Sequence, residues 1–266
     1  MAGEAAIRLG LFLGLFLVIA LAEHVLPRRA RVQPKGRRWA TNWAIVIMDT
    51  VILRALALAI PALAVGAALD AQSKGWGLFN QLDWPLWVEF LAALLILDWL
   101  IWLQHVVTHK VPILWRLHRV HHADPDFDVS TGIRFHPLSI ILSMLIKIGV
   151  ILLLGPPAIA VLLAEIILNV TAMFNHGNIY LPPRVDAALR LILVTPDMHR
   201  VHHSVIRDET DTNFGFNFPW WDRLFGSYRA MPAAGHSAMQ IGQMEFRDRA
   251  ALRLLPLLRQ PMVRTD

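Results

Sequence analysis

Eight histidines in this chain fall into three short groups whose spacing suits metal binding. His105 and His109 are four residues apart, so on a helix they project from one face. His118, His121 and His122 form a second group, and His199, His202 and His203 a third. The second and third share the pentapeptide His-Arg-Val-His-His, 81 residues apart. Neutral imidazole is the commonest metal-binding side chain, and these spacings let one helix offer two or three nitrogens. A lone His-x-x-x-His pair is more often hydrogen bonded in a core than ligating. A structural core has no reason to gather eight costly imidazoles beside apolar spans. Eight nitrogens exceed one tetrahedral zinc site and suit two metal ions with positions left open for oxygen. The two matching boxes are expected to meet on opposite sides of one bimetallic centre.

His176 is expected to be a ninth ligand, because it follows an apolar hairpin that returns to the same membrane face. His136 reads equally as a ligand or as a hydrogen-bond donor behind one. His24 and His236 read as ordinary surface or interface residues. The carboxylates inform by absence. Soluble di-iron bundles use Glu and Glu-x-x-His sets, which this chain lacks, so the ligand field must be almost all nitrogen. A hydrolytic zinc centre would need a general base inside a box, as in His-Glu-x-x-His, and none is present. Asp98 lies seven residues before His105, nearly on the same helical face, and reads as an orienting partner for a ligand. Asp128, Asp197, Asn213 and Asp222 are further candidates behind the ligands; Asp222 reads equally as a helix cap and Asn213 as a turn residue.

The elements that position these residues are apolar. Of 266 residues 56% are hydrophobic and 17% charged, below the roughly 25% of soluble domains. The fold expected is all-α, a polytopic integral membrane bundle with a cytoplasmic histidine-rich di-metal cap. Residues 7–26, 43–69 and 86–103 each suit a span of about 20 residues. Residues 139–154 and 158–174 flank Gly155-Pro156-Pro157, which reads as the tip of a hairpin whose short arms are tilted or partly inserted. The first run ends in a small-x-small sequence, as a signal peptide does, but its leader is barely positive. Arg28, Arg29, Arg31, Lys35, Arg37 and Arg38 follow it and place residues 28–38 in the cytoplasm. The histidines from His105 onward then face the same side. The net charge of +5 fits a membrane surface better than nucleic acid, since the basic residues adjoin apolar runs. The division expected is an N-terminal transmembrane hairpin (1–84), a histidine-box domain (85–230) and an amphipathic tail (231–266). The stretch 246–255 reads equally as an interfacial helix or as a tail packed on its own domain. The chain has no cysteine, so thiolate ligands and disulfides are excluded.

From Asp98 onward the chain resembles the fatty acid hydroxylase superfamily, in particular its bacterial sterol-desaturase-like branch. The resemblance rests on the three boxes, on Asp128-Val129-Ser130-Thr131 and Arg134-Phe135-His136-Pro137, and on Thr195-Pro196-Asp197-Met198-His199. It continues through the segment from Glu209 to Phe216 and the segment from Trp221 to Tyr228. Two positions depart from the family: Ser139 stands where a glutamate is usual, and Tyr180 where some members carry a further histidine. Trp102 represents the family's aromatic near the first box. The resemblance implies two iron ions that activate O2 to hydroxylate or desaturate a lipid such as a fatty acyl chain or sterol, in the bacterial inner membrane. Imidazole itself suits zinc as well as iron, and zinc can replace iron in purified material; oxygenase chemistry requires the redox metal. The sequence shows no nucleotide-binding glycine loop and no haem motif, so electrons are expected from an external donor, a ferredoxin or a cytochrome b5 type with its reductase. The competing reading is a non-catalytic membrane metal-binding or transport protein, which would string polar residues through several spans.

Overall fold

The computed structural model describes residues 2–59, 63–248 and 253–264. Among these the regular structure is helical, and β pairing is limited to the isolated bridges Pro27–Ile179 and Ser204–Ile241. Among the described residues, five stretches are long and apolar enough to cross a membrane. Leu17, Val18, Leu21, Val51 and Leu153 point outward from them. Such contiguous apolar surface is disfavoured in water and is what helices present to lipid. The chain is an integral membrane protein built of helices.

The N-terminal spans are α1 (Ala2–Val25) and α2 (Lys35–Ala59), joined edge to face by Phe16 with Trp39 and Trp43, ring centroids 5.1 and 4.9 Å apart. The apolar run expected over 43–69 falls on α2 and α3 (Leu63–Lys74), and residues 60–62 of it lie outside the described region. Ala64, Ala67 and Ala68 of α3 pack against Ile148, Ile151 and Val161, small residues that let backbones approach closely.

α4 (Leu86–Lys110) carries the first box at its C-terminal end. It stops at Val111, held extended by the proline that follows, and Pro112 then opens α5 (Pro112–His122) in the position where its missing N–H costs nothing. The proline therefore folds the second box back across the first. The expected hairpin is α6 (Pro137–Leu154) and α7 (Ala158–Asn175). Gly155 caps α6 at φ 64°, a conformation that favours glycine. A Cβ at Gly77 would run into the Gly155 backbone, and one at Gly155 into the Trp76 carbonyl and the Asn80 side chain. Leu78 N–H donates to the Leu153 carbonyl at 2.9 Å. The tip thus meets the turn between α3 and α4. Each 18-residue arm is about 27 Å long, close to the thickness of a hydrocarbon core.

The remaining elements are short: α8 (Pro183–Leu189), α9 (Pro196–His202), α10 (Arg207–Thr210), α11 (Trp220–Leu224), α12 (Gly235–Ala238) and α13 (Leu254–Arg259). They collect where α4 and α7 end. In α13, Leu257 is fully buried against Ile45 of α2 and Val120 of α5. The described end of the tail is therefore packed on the protein's own helices; residues 249–252 of that stretch lie outside the described region.

Candidate metal centre

Four elements bring nine imidazoles together. His105 and His109 come from the end of α4, His118, His121 and His122 from α5, and His176 from the cap of α7. His199 and His202 come from α9, with His203 capping it. Pro196 at its first turn and the Thr195 hydroxyl, which accepts the Met198 N–H at 3.3 Å, start that helix directly at the third box. All nine side chains are buried.

They form two adjoining groups. His105, His109, His118, His122 and His202 make one, and His121, His176, His199 and His203 the other, with potential ligand atoms in each within 4.8 Å of one another. The rings of His122 and His203, one from each group, stack at 4.4 Å. The two identical pentapeptides contribute in mirrored fashion. The second box gives its first and last histidines to the five-membered group and its middle one, His121, to the other. The third box gives His199 and His203 to the four-membered group and His202 to the first. The i, i+4 pair of each helix lines one group while the i+3 residue crosses to the second.

The ring nitrogens indicate what the groups would hold. His105 Nδ1 lies 2.7 Å from the Phe214 carbonyl and His202 Nδ1 2.7 Å from that of Thr212. A carbonyl only accepts, so each Nδ1 carries the proton and each neutral ring turns an Nε2 lone pair inward. Those two Nε2 atoms are 3.0 Å apart. In the second group His176 and His121 donate from Nδ1 to the carbonyls of Ala172 and Arg134, and their Nε2 atoms are 3.1 Å apart. Facing lone pairs at such distances repel unless a cation lies between them. Metal–imidazole bonds of about 2.0–2.1 Å put neighbouring ligand nitrogens about 3.0 Å apart at right angles and about 3.4 Å apart at the tetrahedral angle. His109 Nε2 and His203 Nε2, one in each group, are buried with no hydrogen-bond partner. The residues therefore fit two metal ions.

Burial, the largest cause, pushes the imidazoles of His118, His121, His122, His199, His202 and His203 well below their ordinary 6.5, and neighbouring imidazoles add to it. Burial likewise lowers His176 to about 3. Near neutral pH these rings are uncharged and able to ligate. Apolar rings wall the centre: Phe135 stacks on His121 at 4.4 Å, and Phe127 on His176 at 5.4 Å.

The polar candidates take various places. His136 belongs to neither group. Its Nδ1 caps α6 by accepting the Leu138 N–H at 3.2 Å, and its Nε2 faces the Leu258 carbonyl at 3.3 Å. Asp98 accepts from Trp221 Nε1 at 2.6 Å and does not orient His105. Asp222 does act behind that ligand. It accepts the Phe214 and Gly215 N–H groups at 2.9 and 2.8 Å and Trp102 Nε1 at 3.0 Å, fixing the loop whose carbonyl holds His105. Asn213 adopts φ 52° and donates to the Met198 carbonyl at 2.9 Å, tying this turn to α9. Asp197 receives Arg28 Nε at 3.1 Å and Arg200. Asp128 receives Arg38 and, at 3.0 Å, Trp39 Nε1.

Sequence reasoning missed several partners. Asp211 stands 3.3 Å from His109 Nδ1, a carboxylate–histidine pair inside a segment recognised only as a motif. The arginines of the pentapeptides invite a reading as residues snorkelling to phosphates, yet both are buried. Arg119 reaches the Gln260 and Val263 carbonyls, clamping the C-terminal segment to α5, and Arg200 holds Asp197. His236, expected to be an ordinary surface or interface residue, is buried, with Nε2 3.6 Å from Asp197. His24 is exposed as expected.

Above the histidines a cavity of about 810 Å³ opens between α1, α2, α4, α6 and α7. Its wall is mostly apolar, and at one end it reaches His105, His118, Phe135 and Phe216.

This arrangement, a histidine cluster at the ends of membrane helices, defines a membrane protein with side chains that could hold metal. The chain belongs to the fatty acid hydroxylase family, which it matches over residues 90–227. It is 26% identical over 227 residues to the ornithine lipid hydroxylase of Rhizobium tropici, covering 83% of this chain and 66% of the relative. It is 31% identical over 162 residues to human alkylglycerol monooxygenase, covering 59% of this chain and 34% of that protein. A Delta(7)-sterol-C5(6)-desaturase of Nicotiana tabacum is 26% identical over 201 residues, 71% of this chain and 68% of the relative. The chain thus spans about two thirds and one third of the first two relatives. No solved structure matches it.

Proposed function

We propose that this chain is an O2-dependent lipid hydroxylase or desaturase working through two histidine-held iron ions. The observation that carries the reading is that one imidazole group, through His105 and His118, lines a mostly apolar cavity between the spanning helices, with the second group adjoining it. The likeness to a lipid hydroxylase, an alkylglycerol monooxygenase and a sterol desaturase supports a lipid substrate: an acyl chain, a sterol or a related apolar molecule.

When bound, two redox-active irons supply the activation of O2, which imidazole alone cannot do. Hydroxylation consumes O2, two electrons and two protons, leaving one oxygen on carbon and one in water. Desaturation removes two hydrogens with the same inputs and leaves two waters. The electrons come from an external donor of ferredoxin or cytochrome b5 type. The chain's own residues bind and orient. The cavity side chains hold the apolar substrate beside His105 and His118, and Phe127, Phe135, Phe214 and Phe216 keep water from the centre. Carbonyls and Asp211 fix the rings so that no ligand must reorganise during turnover. A transport reading expects polar groups strung along a path. Glu165 instead closes an ion triad with Arg8 and Lys147, each at 3.0 Å.

The basic residues 28–38 support a cytoplasmic histidine cap. A cysteine at Gln72 is expected to label from outside the cell and one at Ser237 is not; outside labelling of Ser237 would reverse the orientation. The activity is tested by lipid extraction and mass spectrometry of cells making the wild-type or the His121→Ala chain. Wild-type cells alone are expected to accumulate a lipid that has gained one oxygen or lost two hydrogens. Identical lipid profiles despite iron-loaded wild-type protein would refute the activity.

A further inference from the structure

Asp49 of α2 lies on the cavity wall and is only 6% exposed. Its Oδ1 is shut off from solvent and has no hydrogen-bond partner. The other buried acids of the spanning helices are satisfied. Glu23 accepts the Val129 and Asn178 N–H groups, Asp98 accepts from Trp221, and Glu165 holds Arg8 and Lys147. Among the described residues no ion-pair partner or hydrogen-bond donor meets Asp49 Oδ1. An unsatisfied carboxyl inside a bilayer is costly, and such groups mark binding sites when they line a cavity.

Asp49 lies near the middle of α2 (Lys35–Ala59), within a stretch apolar enough to span a membrane. The same cavity is lined by Trp43, Val46 and Asp49 of α2 and by His105 and His118 of the metal centre. A ligand touching both Asp49 and the histidines is an apolar molecule with a polar group remote from the carbon presented to them.

The membrane setting selects the kind of polar group. An ammonium drawn to this depth would have to be desolvated together with an ionised carboxylate, and that double penalty commonly exceeds the attraction gained. A neutral carboxyl and a hydroxyl can each donate to and accept from the other without separating charge. We propose that Asp49 is the recognition residue for a hydroxyl on the lipid substrate, remote from the carbon that is oxidised. This rests on the lipid-oxidising reading of the same cavity and adds the substrate class: a long apolar molecule carrying a remote, uncharged hydroxyl.

The test is binding of octadecan-1-ol, octadecan-1-amine and octadecane to the full chain in detergent, read from the ligand dependence of thermal unfolding. Wild-type protein is expected to bind the alcohol about fivefold to tenfold more tightly than the alkane, the net worth of one hydrogen bond. Asp49→Asn keeps a donor and acceptor and retains most of this preference. Asp49→Leu binds alcohol and alkane alike while still binding both. Equal binding of alcohol and alkane by the wild type overturns the inference, as does a preference that survives in Asp49→Leu. Tighter binding of the amine overturns the choice of a neutral group. Failure of all three to stabilise the wild type instead removes the lipid cavity, and with it the reading on which the inference rests.

Discussion

Replacing His202 with alanine, or His121 with alanine, is expected to abolish turnover and to empty different metal positions. Loss of a partner merely behind a ligand costs about 10–100-fold in metal affinity or activity, so loss of a ligand should exceed about 100-fold. The two changes are distinguishable because the residues belong to different groups, His202 to the five-membered one and His121 to the four-membered one. Each variant should retain the metal of the other group more tightly than its own. Both should remain in the membrane, because the apolar spans determine insertion. Wild-type turnover from His121→Ala would remove that residue from the centre. Equal depletion of both metals by both changes would indicate one cooperative cluster in place of two positions.

Arg38→Ala is expected to be the most destabilising change away from the ligands. Arg38 is almost fully buried, and its guanidinium meets Asp124 at 2.8 Å, Asp128 closely, and Asp126 at 3.9 Å. These three acids belong to the loop that follows the second box and carries Phe127 over His176. Removing the cation leaves buried carboxylates without their main counter-charge, a loss of about 3–5 kcal/mol when one partner of a buried pair is deleted. Arg38→Lys keeps the charge but not the fork that spans several carboxylates, and should fall between wild type and Arg38→Ala. Thermal or denaturant unfolding in detergent measures both. An Arg38→Ala chain as stable as wild type would mean that the acids are satisfied without it.

Much of this was legible because the signals are short-range. Spans appear as runs of apolar residues, the hairpin as Gly155-Pro156-Pro157, and the ligand faces as histidines at i, i+3 and i+4. The sequence pattern singled out nine histidines, and the structure gathers them into two groups. The allotment of ligands was not legible, because the crossing of His121 and His202 depends on how α5 and α9 approach each other. Partners of the ligands were hidden for a different reason. Phe214, Thr212, Ala172 and Arg134 act through backbone carbonyls, which any residue supplies. Arg119 illustrates a third limit: a charged residue in a basic, membrane-adjacent segment reads as surface, and only the folding of residues 254–263 onto α5 buries it. Asp98 and Asp222 show the weakness of arguing from helical phase. The acid seven residues before His105 binds a tryptophan, while the one 117 residues beyond it governs the loop that orients the ring.

The central claim is that the nine imidazoles hold two irons in one chain, and metal content tests it most directly. Anaerobically purified, iron-replete, active protein is expected to contain two iron atoms per chain by elemental analysis. Zinc in overproduced material would not weigh against this, because imidazole sites accept zinc in place of iron. One metal per chain in a fully active preparation would contradict the account.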